Sequence, residues 1–236
     1  MLTRRLFCGC IATGLAAGFA ASTAQAVSAD CAVMTPARRD AVDPDQAIAR
    51  LQAGNARFLG GATINCDLVQ QVRETAAKQA PFAAIVGCID SRVPPEMVFD
   101  QRIGDVFCAR IAGNFVNTDI IGSLEFATKV SGAHAIVVLG HSDCGAIKGA
   151  IDHVELGNLT ATLANIRPAV AAAKADGARD SKNAAFVQAV AETNARMAAE
   201  ALTTRSPILQ DLVATRQLRI VAAMHDITTG RVTFLS

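Results

Sequence analysis

The chain contains no tryptophan and no tyrosine, and aromatic residues make up only 4% of it. Without those rings there is no stacking platform for single-stranded nucleic acid or for sugars. Charge is scarce too: 18% of residues are charged, and the formal net charge is +1. So small an excess argues against an electrostatic nucleic-acid surface, and no nucleic-acid partner is expected. What is plentiful is apolar: 51% of 236 residues are hydrophobic. That composition fits a globular protein with a large core and excludes a disordered one.

The first residues read as a targeting segment. Arg4-Arg5 followed by Leu6-Phe7 is a twin-arginine opening, a small-residue apolar region runs to about Ser22, and Ala24-Gln25-Ala26 is an A-x-A cleavage site. The apolar region is rich in Ala and Gly and falls short of the ~20 residues of a membrane span, so no stable anchor is expected after cleavage. Residues 1–26 are therefore expected to engage twin-arginine export machinery and be removed, placing the protein in the periplasm. Their loss takes two arginines and no acid, moving the net charge from +1 to −1.

Seven cysteines are present: Cys8, Cys10, Cys31, Cys66, Cys88, Cys108 and Cys144. The first two leave with the signal. Cys108 sits in an apolar run and reads as a small buried hydrophobe. Cys31 and Cys66 lie in polar stretches, and an oxidising compartment would allow them to join as a disulfide.

Along the remaining chain, apolar runs alternate with helical patterns. Asp43-Pro44-Asp45-Gln46 starts a helix that ends near Gly60-Gly61, with Asp43 as N-cap and Pro44 at the first helical position. A polar helix is predicted over Asp67–Gln79. Strands are predicted at Phe82–Gly87, Val106–Ile111, Ala135–Leu139 and Leu218–Met224, with an edge strand at Arg231–Leu235. Helices fall at Pro94–Phe99, Ile120–Lys129, Ala146–Asp152, Asn158–Ala175, Lys182–Leu202 and Pro207–Thr215. Ser28–Val42 shows no periodicity and reads as an extended arm. The alternation predicts an α/β fold: a mostly parallel four-stranded sheet with a short edge strand, flanked by helices, in a single domain over 27–236.

Two strand ends carry the chemistry. The first strand leads into Cys88-Ile89-Asp90-Ser91-Arg92, and the third into His141-Ser142-Asp143-Cys144. Strand ends of this kind face the crevice where ligands collect in open α/β sheets. Two thiols and an imidazole suit zinc. Cys88, His141 and Cys144 supply three ligands, which leaves a fourth position. Asp90 can reach that position, and Arg92 can grip Asp90 through a guanidinium fork. Arg92 then holds Asp90 off the ion, leaving room for water, or releases it to close the site. Ser142 and Asp143 read as groups that orient His141. Asp105 and Asn114 read as loop braces, and Lys148 as solvated.

The stretches CIDSR (Cys88–Arg92), GDVFCARIAGN (Gly104–Asn114), SLEFA (Ser123–Ala127) and LGHSDCGAIKGA (Leu139–Ala150) together resemble a β-class carbonic anhydrase of the exported bacterial type. The resemblance implies zinc on Cys88, His141 and Cys144, one ion per subunit, with Asp90 joining only in a closed state. It implies Asp90 and Arg92 as a catalytic dyad, and hydration of carbon dioxide to bicarbonate and a proton by zinc-bound hydroxide. It also implies a homodimer or dimer of dimers. The domain is expected to carry an N-terminal helical arm. Gln101 matches a substrate-side glutamine of some members. His225 stands where many relatives carry Tyr, and an allosteric bicarbonate pocket built on Trp and Tyr cannot exist here in that form. Two other readings stay open: a hydrolase of carbon disulfide or carbonyl sulfide on the same fold, and a non-catalytic zinc-thiolate protein.

Overall fold

A computed structural model describes residues 30–235. The targeting segment read over residues 1–26 lies outside the described residues. Five strands form one sheet: β1 (Ala83–Gly87), β2 (Val106–Arg110), β3 (Ala135–His141), β4 (Arg219–His225) and β5 (Val232–Leu235). Their order is β2-β1-β3-β4-β5; the first four are parallel, and β5 pairs antiparallel with β4. β1 and β3 are buried along their whole length, which is why both read as unbroken apolar runs.

Alternate residues of each strand serve two cores. Ala84, Val86, Ile136, Val138 and Met224 face α5 (Thr118–Glu125), α6 (Gly145–Ile151) and the long α9 (Ala184–Arg205), through Leu124, Ile147, Phe186 and Val190. Ile85, Val137 and Leu139 face the arm, through Met34, Val42, Ile48 and Leu51. The arm comprises α1 (Pro36–Asp40) and α2 (Pro44–Leu59). α2 begins with the expected capping box: Gln46 N–H donates to Asp43 Oδ1 (2.7 Å), and Asp43 N–H donates to Gln46 Oε1 (3.0 Å). α3 (Leu68–Thr75), α4 (Pro95–Val98), α7 (Gly157–Ala164), α8 (Arg167–Ala172) and α10 (Pro207–Ala214) complete the helices. No helix among the described residues is long and apolar enough to cross a membrane.

Five local expectations change. The region before Val42 is not wholly extended, because Thr35 caps α1 ahead of Pro36. α3 ends at Thr75, short of Gln79. The Asn158–Ala175 helix is two helices: Asn165 Nδ2 turns back onto the carbonyls of Ala161 and Thr162, and Pro168 opens α8. The turn after α5, Phe126–Val130, is π-helical. Cys108 is only half-buried, because β2 is an edge strand within this chain.

β3 also runs two residues beyond Leu139, since Gly140 and His141 stay in register with Met224 and His225 of β4. Gly140 is required there. A Cβ would stand 2.6 Å from Met224 Sδ, so its absence leaves room for the Met224 side chain of β4 under α9.

Candidate metal centre and active site

The sheet order turns outward in opposite directions from β1 and β3, so a crevice opens between their carboxyl ends. β1 delivers Cys88 to that crevice and β3 ends on His141. Cys144 follows as the N-cap residue of α6. The three donor atoms lie within 4.8 Å of one another, and all three residues are buried. Cys88 Sγ and Cys144 Sγ are 4.0 Å apart. Two thiolates on tetrahedral zinc, each about 2.3 Å from it, would stand about 3.8 Å apart.

The surroundings prepare these atoms for a cation. His141 Nδ1 donates to the Ser142 carbonyl at 2.9 Å, an acceptor only, which fixes the proton on Nδ1. His141 Nε2 keeps its lone pair and is buried without a hydrogen-bond partner. The hydrogen bond from Cys144 lowers the Cys88 thiol well below the usual thiol range, against the pull of burial, and the Gly113 N–H (3.3 Å) helps. The same contact, with burial, pushes Cys144 up, opposed by the backbone N–H groups of Ile147 and Ala146. Two thiols sharing one proton beside an orphaned imidazole nitrogen form a donor set that a soft divalent ion completes.

Asp90 stands at the open side of this set, its Oδ2 3.9 Å from His141 Nε2. Arg92 grips it in a fork: Nε to Oδ1 at 3.0 Å and Nη2 to Oδ2 at 2.8 Å, with the Arg92 backbone N–H also on Oδ1 at 3.0 Å. This grip holds the Asp90 carboxyl well below the usual carboxylate range and raises Arg92. Asp143 lies 4.0 Å from Arg92 Nη1 and is itself paired with Lys148, so Lys148 is not simply solvated. Asp143 adopts φ 56°, the turn that brings Cys144 back toward His141.

Sequence reasoning gave no role to three residues that the structure places beside the cluster. Arg110, at the end of β2, donates to the Cys88 carbonyl (2.8 Å) and the Asp90 carbonyl (2.6 Å), fixing the whole loop. The pairing of Gly87 with Arg110 places it there, and that pairing has no local signature. Gly113 supplies the N–H on Cys88. His225, register partner of His141, is buried with neither ring nitrogen partnered, and burial lowers its pKa.

Gln101 is not brought to this cluster within the chain. Its amide donates to the Phe99 carbonyl, and it lines a pocket shared with Asp105, just before β2 at the other end of the sheet. Asp105 braces that loop, accepting from Arg102 N–H at 3.0 Å. Cys31 and Cys66 are joined as a disulfide, with Cα atoms 5.5 Å apart.

The model of the family described as "Carbonic anhydrase" matches residues 83–232. "Carbonic anhydrase 2" of Mycobacterium tuberculosis is 32% identical over 195 residues, covering 80% of this chain and 91% of that protein. Among solved structures, a Coccomyxa β-carbonic anhydrase in complex with acetazolamide aligns with a TM-score of 0.63 at 28% identity, over 71% of this chain and 77% of that one. One of two tetrameric β-carbonic anhydrases from Sordaria macrospora aligns at 0.62 and 26%, over 81% and 98%. With the matched family model spanning most of the chain and the cysteines and histidine converging as they do, this chain belongs to the carbonic anhydrase family, in its β class.

Proposed function

We propose that the protein is an exported zinc enzyme that hydrates carbon dioxide: CO2 and water give bicarbonate and a proton, reversibly. One observation carries the reading. Three buried donors, Cys88, His141 and Cys144, converge beside a carboxylate that Arg92 holds in place. When bound, zinc supplies the Lewis acidity that lets a water lose its proton near neutral pH, a property long known from His-liganded carbonic anhydrases.

The chain's own residues do the rest. Cys88, Cys144 and His141 Nε2 would hold the ion, and the Ser142 carbonyl fixes the imidazole. Asp90, kept ionised by Arg92, can only accept hydrogen bonds. Its Oδ2 would therefore accept the hydrogen of the attacking O–H and so leave an oxygen lone pair aimed at the carbon of CO2. Arg92 also keeps Asp90 from swinging onto the fourth position. Arg110 and Gly113 hold the loop that carries both Cys88 and Asp90.

Export is supported by Arg4-Arg5, by Ala24-Gln25-Ala26 and by the Cys31–Cys66 bridge, which belongs in an oxidising compartment. Folding before export would load the thiolates with zinc ahead of that compartment. Assembly into a dimer or dimer of dimers is supported by the open edge of β2. An apolar pocket of about 810 Å³ lies beside it, lined by Phe107, Ile120, Leu124 and Phe126. Phe126 is 48% exposed there.

Stopped-flow CO2 hydration by the zinc-loaded protein, beside Asp90→Ala and Cys88→Ser, tests the activity. Hydration by the parent that falls in both variants supports it. Turnover of carbon disulfide without CO2 hydration would move the substrate. Zinc bound with neither activity would leave a zinc-thiolate protein.

A further inference from the structure

A second polar site lies at the end of the sheet away from Cys88. A pocket of about 230 Å³ opens between the arm, α2 and the loop into β2. Arg38, Arg50, Arg57 and Arg102 line it, against two acids, Asp30 and Asp105. Asp105 is buried, and the guanidiniums of Arg102, Arg50 and Arg38 all act on its single carboxylate. Arg57 is taken by Asp100 at 2.5 Å, and Arg38 holds the carbonyls of Ala32 and Val33.

The other two arginines have donors to spare. Arg50 makes no hydrogen bond or ion pair among the described residues and only lies over the Phe82 ring, 5.8 Å from its centre. Arg102 keeps Nε 3.3 Å from Asp105, but its Nη1 is buried with no partner. A buried charged donor left unpaired is costly, and such groups normally have a partner. The wall facing them is built: Cys31–Cys66 staples residues 30–34 to the start of α3, and Gln71 Nε2 donates to the Cys31 carbonyl at 3.0 Å.

We propose that this pocket binds a small oxyanion of the phosphate or sulfate class, held by Arg50 and Arg102. Guanidinium forks match such oxygens in geometry and charge. The volume lies below the ~300–1,000 Å³ typical of organic-ligand sites, which favours an ion over a larger molecule. None of the residues around Cys88, Asp90, Arg92, His141 and Cys144 takes part, so the site stands or falls independently of the proposed activity.

Isothermal titration of the zinc-loaded protein with inorganic phosphate and with sulfate, in chloride buffer of matched ionic strength, tests it. One saturable site per chain is expected. Arg50→Gln and Arg102→Gln should each weaken it about tenfold or more, with CO2 hydration unchanged in Arg50→Gln. Arg50 is exposed, so its variant folds even if Arg102→Gln does not. No saturable binding beyond the chloride control would overturn the proposal. So would binding that survives Arg50→Gln undiminished, or that vanishes in Cys88→Ser, which would put the anion on the metal.

Discussion

Arg92 is half exposed, and ion pairs open to solvent add little to stability. Its grip on Asp90 therefore matters for where the carboxylate points. Arg92→Ala is expected to leave the unfolding midpoint nearly unchanged and zinc content intact, while hydration falls about 10- to 100-fold, the usual loss when a supporting group of a metal site is removed. Parallel melting curves, metal assays and stopped-flow rates check this; an equal loss of stability and activity would contradict it. Asp105 behaves in the opposite way to Asp90. Burial raises its pKa, so the folded state holds its proton longer than the unfolded one, and stability falls as pH rises from ~3.9 through the raised value. An Asn lacks that penalty. Urea unfolding in chloride buffer should show Asp105→Asn faring better relative to the parent at pH 7.5 than at pH 4.5; the reverse ordering would contradict the burial argument.

At the scale of elements, the close approaches are made by residues without side chains. A Cβ on Gly54 would lie 1.8 Å from the Phe99 carbonyl oxygen, backbone that cannot yield. Gly54→Ala should force α2 away from the end of α4 and cost upwards of about 2 kcal/mol, read by urea unfolding; a change below about 0.5 kcal/mol would show that the arm packs differently. Legibility followed the same division. The capping box at Asp43 and the strands read from Phe82 and from Ala135 are local patterns, and the structure starts them within one residue of those positions. The continuation of β3 to His141 depends on pairing with β4, and Gly140 read as a strand end because its reason, the Met224 side chain on β4, is tertiary. The break near Pro168 was hidden by an alanine-rich composition that favours helix on both sides.

Across the whole molecule, the cluster was legible because its donors sit in two short contiguous motifs beside two strand ends. Arg110 was not, since strand order alone decides which neighbouring strand meets the Cys88 loop. The order β2-β1-β3-β4-β5 puts Arg110 on that loop, while Gln101, which precedes β2 in a parallel sheet, lies toward the opposite end. It also leaves β2 at an edge, where Phe107 and Phe126 pack edge to face, centroids 6.3 Å apart. If a second copy covers that face, Phe126→Asp should shift sedimentation toward monomer; an unchanged sedimentation coefficient would place the interface elsewhere. The most direct measurement joins metal to turnover: zinc content and CO2 hydration at alkaline pH, before chelation, after it, and after zinc is restored. The account predicts about one zinc per chain, hydration lost with the metal and regained with it. A protein that holds zinc on these three residues and never hydrates CO2 would contradict it.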